Sequence, residues 1–204
     1  MAFEYTIDGE MYRIRDLVMA PHPKERILAD LYFRFESQGL MEVLFYESEK
    51  PSLIWWLNNF LAKETSTLAC YRETADGEYG VDGKRFTPIG LMWINKSWPI
   101  GTKFKKSEIG MGFIRGIPLR DSLDLGRLGV DWSFNNLKLD ALIGTTPQPN
   151  RAATIYGQRL GFNVTGPVYG FTAWRGKLCS AVIQSLTRDQ WMAARSAWGQ
   201  SDAA

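Results

Sequence analysis

The spacing of apolar residues changes along the chain, and the changes mark its elements. Over residues 24–38, Leu28, Leu31 and Phe35 recur at helical spacing after two prolines and before Gly39, which predicts a helix with one buried face. Residues 51–62 predict a short second helix, apolar on most sides, suited either to deep burial or to a contact surface. Residues 41–46, between the two, fit either helix or strand. Ahead of them, Tyr5-Thr6-Ile7, the turn Asp8-Gly9-Glu10 and residues 11–15 read as a hairpin or an irregular first strand. From residue 67 the pattern becomes that of strands, at residues 67–72, 86–93 and 107–117. The loop over residues 75–83 holds three glycines and three acids. Residues 121–136 predict a helix despite Gly126 and Gly129, residues 139–143 a strand, residues 150–160 a helix, and residues 168–174 and 178–186 two closing strands. A short helix follows from residue 188 to about 198, opened by Thr187 and Gln190 at capping-box spacing. The order predicts an α+β chain with a mixed central sheet. With no repeat or linker, residues 1–204 read as one domain, of which 188–204 are a short C-terminal helix and tail.

Composition narrows the partners. A net charge of +2 with scattered Lys and Arg argues against a strongly electrostatic nucleic-acid binder. Eight Trp in a chain that is 13% aromatic must fill a core or sit at a contact surface. Cys70 and Cys179 lie in apolar contexts without a CxxC, which points to free thiols in a reducing compartment and to no metal site. No basic stretch followed by an apolar run opens the sequence, and no segment approaches the ~18 apolar residues of a membrane span. The expectation is a cytoplasmic protein, one also suited to assembly into a larger particle such as a virion.

One segment carries chemistry. Pro147 and Pro149 keep the residues before Asn150 extended, and Asn150 is a good N-cap. Ala153, Tyr156 and Leu160 share one helical face, and Gly161 suits a left-handed stop, with Phe162 folding back. By itself this is a capped amphipathic helix with Tyr156 as a core aromatic. The set Asn150, Ala153, Tyr156 and Gly161-Phe162 after a strand also resembles the last conserved block of the GCN5-related N-acetyltransferase (GNAT) superfamily. The element order is similar to that of the family over most of the chain.

The resemblance implies a mixed sheet with helices on both faces and a V-shaped cleft between the family's fourth and fifth strands. It also implies acetyl-coenzyme A as cosubstrate, bound by Asn150 and by the backbone of the fourth strand and its following loop. Those positions are Gly112, Phe113, Ile114, Arg115, Arg120 and Ser122. Gly110 and Gly112 suit either close backbone approach or packing against a bulky neighbour. Tyr156, a phenol that stays protonated near neutral pH, is the implied acid for the departing thiolate. Glu108 is the implied base, with Glu42 and Glu47 as competitors. His22, between prolines, reads as structural or solvated. The chain departs from the family at the pyrophosphate loop, where glycines are expected. If Arg115 opens that motif, Pro118 takes the first glycine position and lacks an N–H; if Arg120 opens it, Leu123 does so with a side chain. Side-chain cations must then bind the phosphates.

Two functions remain open on the sequence. One is an acetyl-coenzyme A-dependent N-acetyltransferase that acts on a primary amine of a protein or small molecule by direct transfer in a ternary complex. The other is a catalytically inactive GNAT-fold interaction protein, such as a phage virion component. The acceptor and any homo-oligomer are not specified, no membrane is implied, and a nucleic-acid acceptor has little support from the charge balance.

Overall fold

The computed structural model describes residues 5–6, 11–46, 50–81, 83–95, 98–100 and 103–201; of residues 5, 6, 81, 98–100 and 197–201 it describes the backbone alone. The turn expected at Asp8-Gly9-Glu10 and the competitor base Glu47 lie outside the described residues. The chain forms two compact units, Met1–Asn95 with Gly110–Gly129, and Lys96–Ile109 with Val130–Ala204.

The first unit begins with β1 (Tyr5–Thr6), β2 (Tyr12–Ile14) and β3 (Leu17–Pro21), followed by the helices α1 (Glu25–Ser37), α2 (Met41–Leu44) and α3 (Leu53–Phe60). Then come β4 (Ser66–Glu73), β5 (Tyr79–Val81) and β6 (Lys84–Ile94). β2 and β3 make a hairpin whose turn holds Arg15 at φ 55, so the described hairpin lies later in the chain than the expected one. β3, β4 and β6 pair antiparallel in that order, and β1 pairs parallel with β5.

Alternate residues of these strands face different helices. Val18, Ala20, Ala69, Tyr71 and Leu91 belong to one core with Leu28, Leu31 and Phe35 of α1 and Trp56 and Phe60 of α3. Met19, Cys70 and Met92 point the other way, and Gly129 sits against Met92 and Met19. Burial on both faces explains why β3 and β4 are runs of consecutive buried residues rather than alternating ones. Trp56 fixes α3 by donating its indole N–H to Leu28 O at 2.9 Å. Ser52 caps that helix through its hydroxyl oxygen, which accepts from Trp55 N.

Two elements pass from one unit to the other: β8 (Phe104–Phe113), which β7 (Trp98–Ile100) precedes, and α4 (Leu119–Asn136). The second unit continues with β9 (Ala141–Pro147), α5 (Arg151–Arg159), β10 (Asn163–Trp174), β11 (Lys177–Thr187) and α6 (Arg188–Ser201). Its strand order is β10-β11-β9-β8. β9 runs parallel to β8 and antiparallel to β11, so parallel and antiparallel pairs coexist, as the α+β reading requires. Trp191 of α6 is fully buried and stacks on Phe134 of α4, with ring centroids 5.2 Å apart. The capping box holds: Thr187 N donates to Gln190 Oε1 at 2.9 Å and Gln190 N to Thr187 Oγ1 at 3.3 Å. Among the described residues, no helix is long and apolar enough to cross a membrane.

Candidate functional site

In the second unit, the parallel ladder joins Lys106, Ser107 and Glu108 to Ala141, Leu142 and Ile143 and ends there, although β9 goes on to Pro147 beside β11. Ser107 and Leu142 are buried, and the alternation turns Glu108 and Ile143 to the other face. Asn150 then caps α5 as its sequence position predicts, its Oδ1 accepting from Ala153 N at 3.3 Å. The preceding loop is tied down by Gln148 N, which donates to Ser180 O at 2.8 Å. Gly161, at φ 96, stops the helix, and Phe162 N returns to Gly157 O.

α5 lies against the face that carries Gln184. The Gln184 amide donates to Thr154 O at 2.9 Å, and Gly157 leaves the space that this amide fills. Glu108 is in register with Ile143, which pairs with Ser185, the neighbour of Gln184. Glu108 and Tyr156 therefore belong to opposite faces of these strands. No side chain of α5 is fully buried, and Tyr156 is half-buried rather than a core aromatic.

The phosphate-loop residues belong to the first unit. β8 ends at Phe113, so residues 114–117, expected as strand, form a turn instead, with Gly116 at φ 86. Ile114 N donates to Ile89 O at 2.9 Å, and Arg115 N donates to Gln38 Oε1 at 2.6 Å. These two amides are thus already engaged. Gly110 and Gly112 have packing reasons: a Cβ on Gly110 would lie 2.1 Å from Trp93 Cζ2, and one on Gly112 would lie 2.6 Å from Leu44 Cδ2. Phe113 lies over Gly90 in the same way.

α4 starts at Leu119, directly after Pro118, and the first N–H groups of a helix have no acceptor within it. Ser122 is buried, with its hydroxyl turned back to Leu119 O at 3.0 Å. Arg115 and Arg120 are exposed and, among the described residues, neither guanidinium has an ion-pair partner. The nearby acids are matched by other arginines. Arg15 and Arg72 pair with Asp121, while Arg15 and Arg127 pair with Asp124. The negative charge in the first turn of α4 is therefore offset, and two cations remain at the solvent-facing end of the helix. Nothing in the local sequence around Gln38, Arg15 or Arg72 announces these roles; they follow from tertiary contacts.

Of the remaining candidates, Glu42 is exposed on α2. His22 is exposed, at φ 55, and its N–H donates to Thr67 O, so the structure gives it a place in a turn. Cys70 is buried, which pushes its thiol well above the usual range, and Cys179 is half-buried; neither forms a disulfide.

No protein-family model and no curated protein matches the chain by sequence. Solved structures do match in fold. The ribosomal-protein-S5-alanine acetyltransferase from Vibrio fischeri superposes with a TM-score of 0.64 at 14% identity, over 90% of this chain and 99% of its own. The spermidine N-acetyltransferase from Vibrio cholerae, in complex with CoA and spermine, gives 0.66 at 12% identity, over 87% and 98%. RimJ of Mycobacterium smegmatis, in complex with CoA-disulfide, gives 0.66 at 12% identity, over 85% and 83%.

Proposed function

We propose that this chain, which has the fold of the GCN5-related N-acetyltransferases, transfers an acetyl group from acetyl-coenzyme A directly to a primary amine. The observation that carries the reading is the start of α4. Among the described residues, Arg115 and Arg120 stand exposed without carboxylate partners, while Asp121 and Asp124 are paired elsewhere. A helix N-terminus with two uncommitted cations suits a pyrophosphate. Side chains take the part that glycine amides play in the family, since the amides of Ile114 and Arg115 are committed and Pro118 has none.

The chemistry assigned to the second unit follows from what the reaction needs. An alkyl amine is protonated near neutral pH (pKa ~10.4) and must lose a proton before its nitrogen attacks the thioester carbonyl. Glu108, on the strand face opposite Tyr156, is the proposed acceptor of that proton, reached where the β8–β9 ladder ends at Glu108 and Ile143. Tyr156, left half-buried by α5, would donate its phenolic proton to the coenzyme thiolate as the carbon–sulfur bond breaks. Asn150 holds the entry to α5 through its cap. The relatives in fold that act on spermidine and on a ribosomal protein make a polyamine or a protein amine the acceptor class to test first.

Isothermal titration with coenzyme A tests the phosphate role. Arg120→Ala should weaken binding by roughly ten- to a hundredfold, the effect of one charge-assisted hydrogen bond of ~1.5–3 kcal/mol. Pantetheine, which lacks the phosphates, should bind both proteins alike. Equal coenzyme A affinity in the two proteins would refute the assignment. The same committed amides favour a second reading, a non-catalytic GNAT-fold interaction protein; wild-type protein that stays silent at millimolar coenzyme A would select it.

A further inference from the structure

Two residues of the second unit are unfavourable choices for their own elements, and they meet. Val182, Gln184 and Leu186 are buried on one face of β11. Gln184 is the polar member of that row, 3% exposed, where a leucine would leave no hydrogen-bonding group to satisfy. β11 lies between β9 and β10. Gln184 is in register with Gly144 on one side and Val164 on the other, so its backbone is held from both. Gly157 lies inside α5, where glycine is less favourable than any residue except proline. A Cβ there would stand 2.6 Å from Gln184 Nε2, 2.7 Å from Oε1 and 2.9 Å from Cδ, so the amide rests directly on the helix backbone. From that seat Nε2 donates to Thr154 O at 2.9 Å. A carbonyl has two lone pairs, so this bond adds to the helical one.

The bond falls at the middle of α5. None of the nine helical residues is fully buried, and a helix of that length is marginal without tertiary support. The Asn150 cap and the bond from Gln148 N to Ser180 O fasten its start. The buried apolar residues of the segment, Leu160 and Phe162, follow its end. Thr154 and Gly157, the two points of contact with Gln184, bracket Tyr156.

We propose that Gln184 is a positioning residue for acetyl transfer: its amide, seated on Gly157 and bonded to Thr154 O, fixes the turn of α5 from which the Tyr156 phenol reaches the coenzyme thiolate. This rests on the transfer reading above and adds to it the residue that aims the acid. Proton transfer requires donor and acceptor within hydrogen-bond reach, and a misplacement of about 1 Å can cost ~10²-fold in rate. Buried as it is, Gln184 acts through α5 rather than on a substrate. A polar residue in an apolar row and a glycine in a helix each weaken their own element; together they set the height and rotation of α5 on the sheet.

Steady-state acetylation of spermidine by the full chain, with acetyl-coenzyme A as donor, tests the inference. Gln184→Leu keeps most of the bulk and removes the donor. It should lower kcat by ~10–100-fold, with the KM for acetyl-coenzyme A changed less than about twofold. Added to Tyr156→Phe, the same change should cost less than about twofold, because residues that act as a unit are not additive. Gln184→Glu carries a signature that packing alone does not. A carboxyl can donate to Thr154 O only while protonated, and burial raises its pKa. The turnover of Gln184→Glu relative to wild type should therefore be highest at low pH and fall over roughly pH 6–9. Gly157→Ala favours the helix yet displaces the amide, so it should lose turnover without a lower melting temperature. It also keeps the test open if Gln184→Leu does not fold. A full loss from Gln184→Leu in the Tyr156→Phe background, a Gln184→Glu ratio flat with pH, or a Gly157→Ala protein as fast as wild type would each overturn the role of Gln184 and leave the transfer reading standing. A wild type that acetylates neither spermidine nor a peptide with an N-terminal alanine would overturn both.

Discussion

Gly110→Ala distinguishes a glycine kept for packing from one kept for a ligand. The new Cβ would lie 2.1 Å from Trp93 Cζ2, 2.2 Å from Cε2 and 2.6 Å from Nε1, so the indole must move by more than an ångström. The ring has little room to do so. It stacks on Phe45 with centroids 5.9 Å apart and meets Phe60 edge-on at 5.4 Å, and both of these rings contact Trp56, which is fully buried. Overpacking of this kind costs ~1–3 kcal/mol, and replacing a strand glycine by alanine returns ~0.5–1 kcal/mol. The expected net loss is about 1–2 kcal/mol, or a melting temperature lower by roughly 2–8 °C for a chain of this size. Thermal melts read the loss directly. In a double-mutant cycle, Gly110→Ala and Trp93→Phe together should cost less than the sum of their separate effects, because the smaller ring lacks the offending atoms. A Gly110→Ala protein as stable as the wild type but weakened in coenzyme A binding would refute the packing account and make Gly110 a ligand-approach residue.

Tyr156→Phe should lower turnover by ~10²–10⁴-fold, the usual range for a general acid, while coenzyme A affinity changes little; unchanged turnover would leave Tyr156 as a packing residue. In the folded protein, a thiol reagent should label Cys179 alone, with Cys70 reacting only in denaturant, because burial both shields the Cys70 thiol and pushes its pKa up; two fast thiols in native conditions would contradict the burial. Burial raises the Asp30 carboxyl above its usual value of 3.8, with Arg34 opposing the shift and Glu78 adding to it. A carboxyl raised in the folded state contributes stability at pH values below its unfolded pKa and loses it as pH rises through the folded one. Asp30→Asn should therefore gain in melting temperature relative to wild type at neutral pH, with the gain shrinking as pH falls through the carboxylate range; a gain that grows on acidification would reverse the sign.

Elements with local signals are legible in the sequence. Leu28, Leu31, Phe35 and Gly39 define α1, and Thr187 with Gln190 opens α6, because periodicity and caps need only neighbouring residues. β3 carries no local signal, because strands buried on both faces show no alternation, and Pro21 and Pro23 look like a loop. β5 and β7 are three-residue strands that exist only through their partners. β9 runs on to Pro147, which the two prolines disguised, since the last ladder position tolerates a residue without an N–H. The candidate site divides in the same way. Asn150 as a cap was legible from its own helix, whereas the commitment of the Arg115 amide to Gln38 and the pairing of Asp121 with Arg15 and Arg72 join residues far apart in sequence.

During synthesis, β9 leaves the ribosome with most of its partners unmade. Three of its residues can pair at once with β8, but all seven pair with β11, which follows only after α5 and β10. At about 5–20 residues per second, residues 148–187 take roughly 2–8 s to translate. Through that interval Leu142, Thr146 and Pro147, all buried in the finished fold, face water or a chaperone. The strands of the first unit, by contrast, have all been made by residue 113. Ribosome-bound chains that carry residues 1–176 followed by a C-terminal spacer long enough to clear the exit tunnel should accordingly show protease-resistant β3, β4 and β6 beside a cleavable β9, which makes the second unit the part whose folding waits on β11.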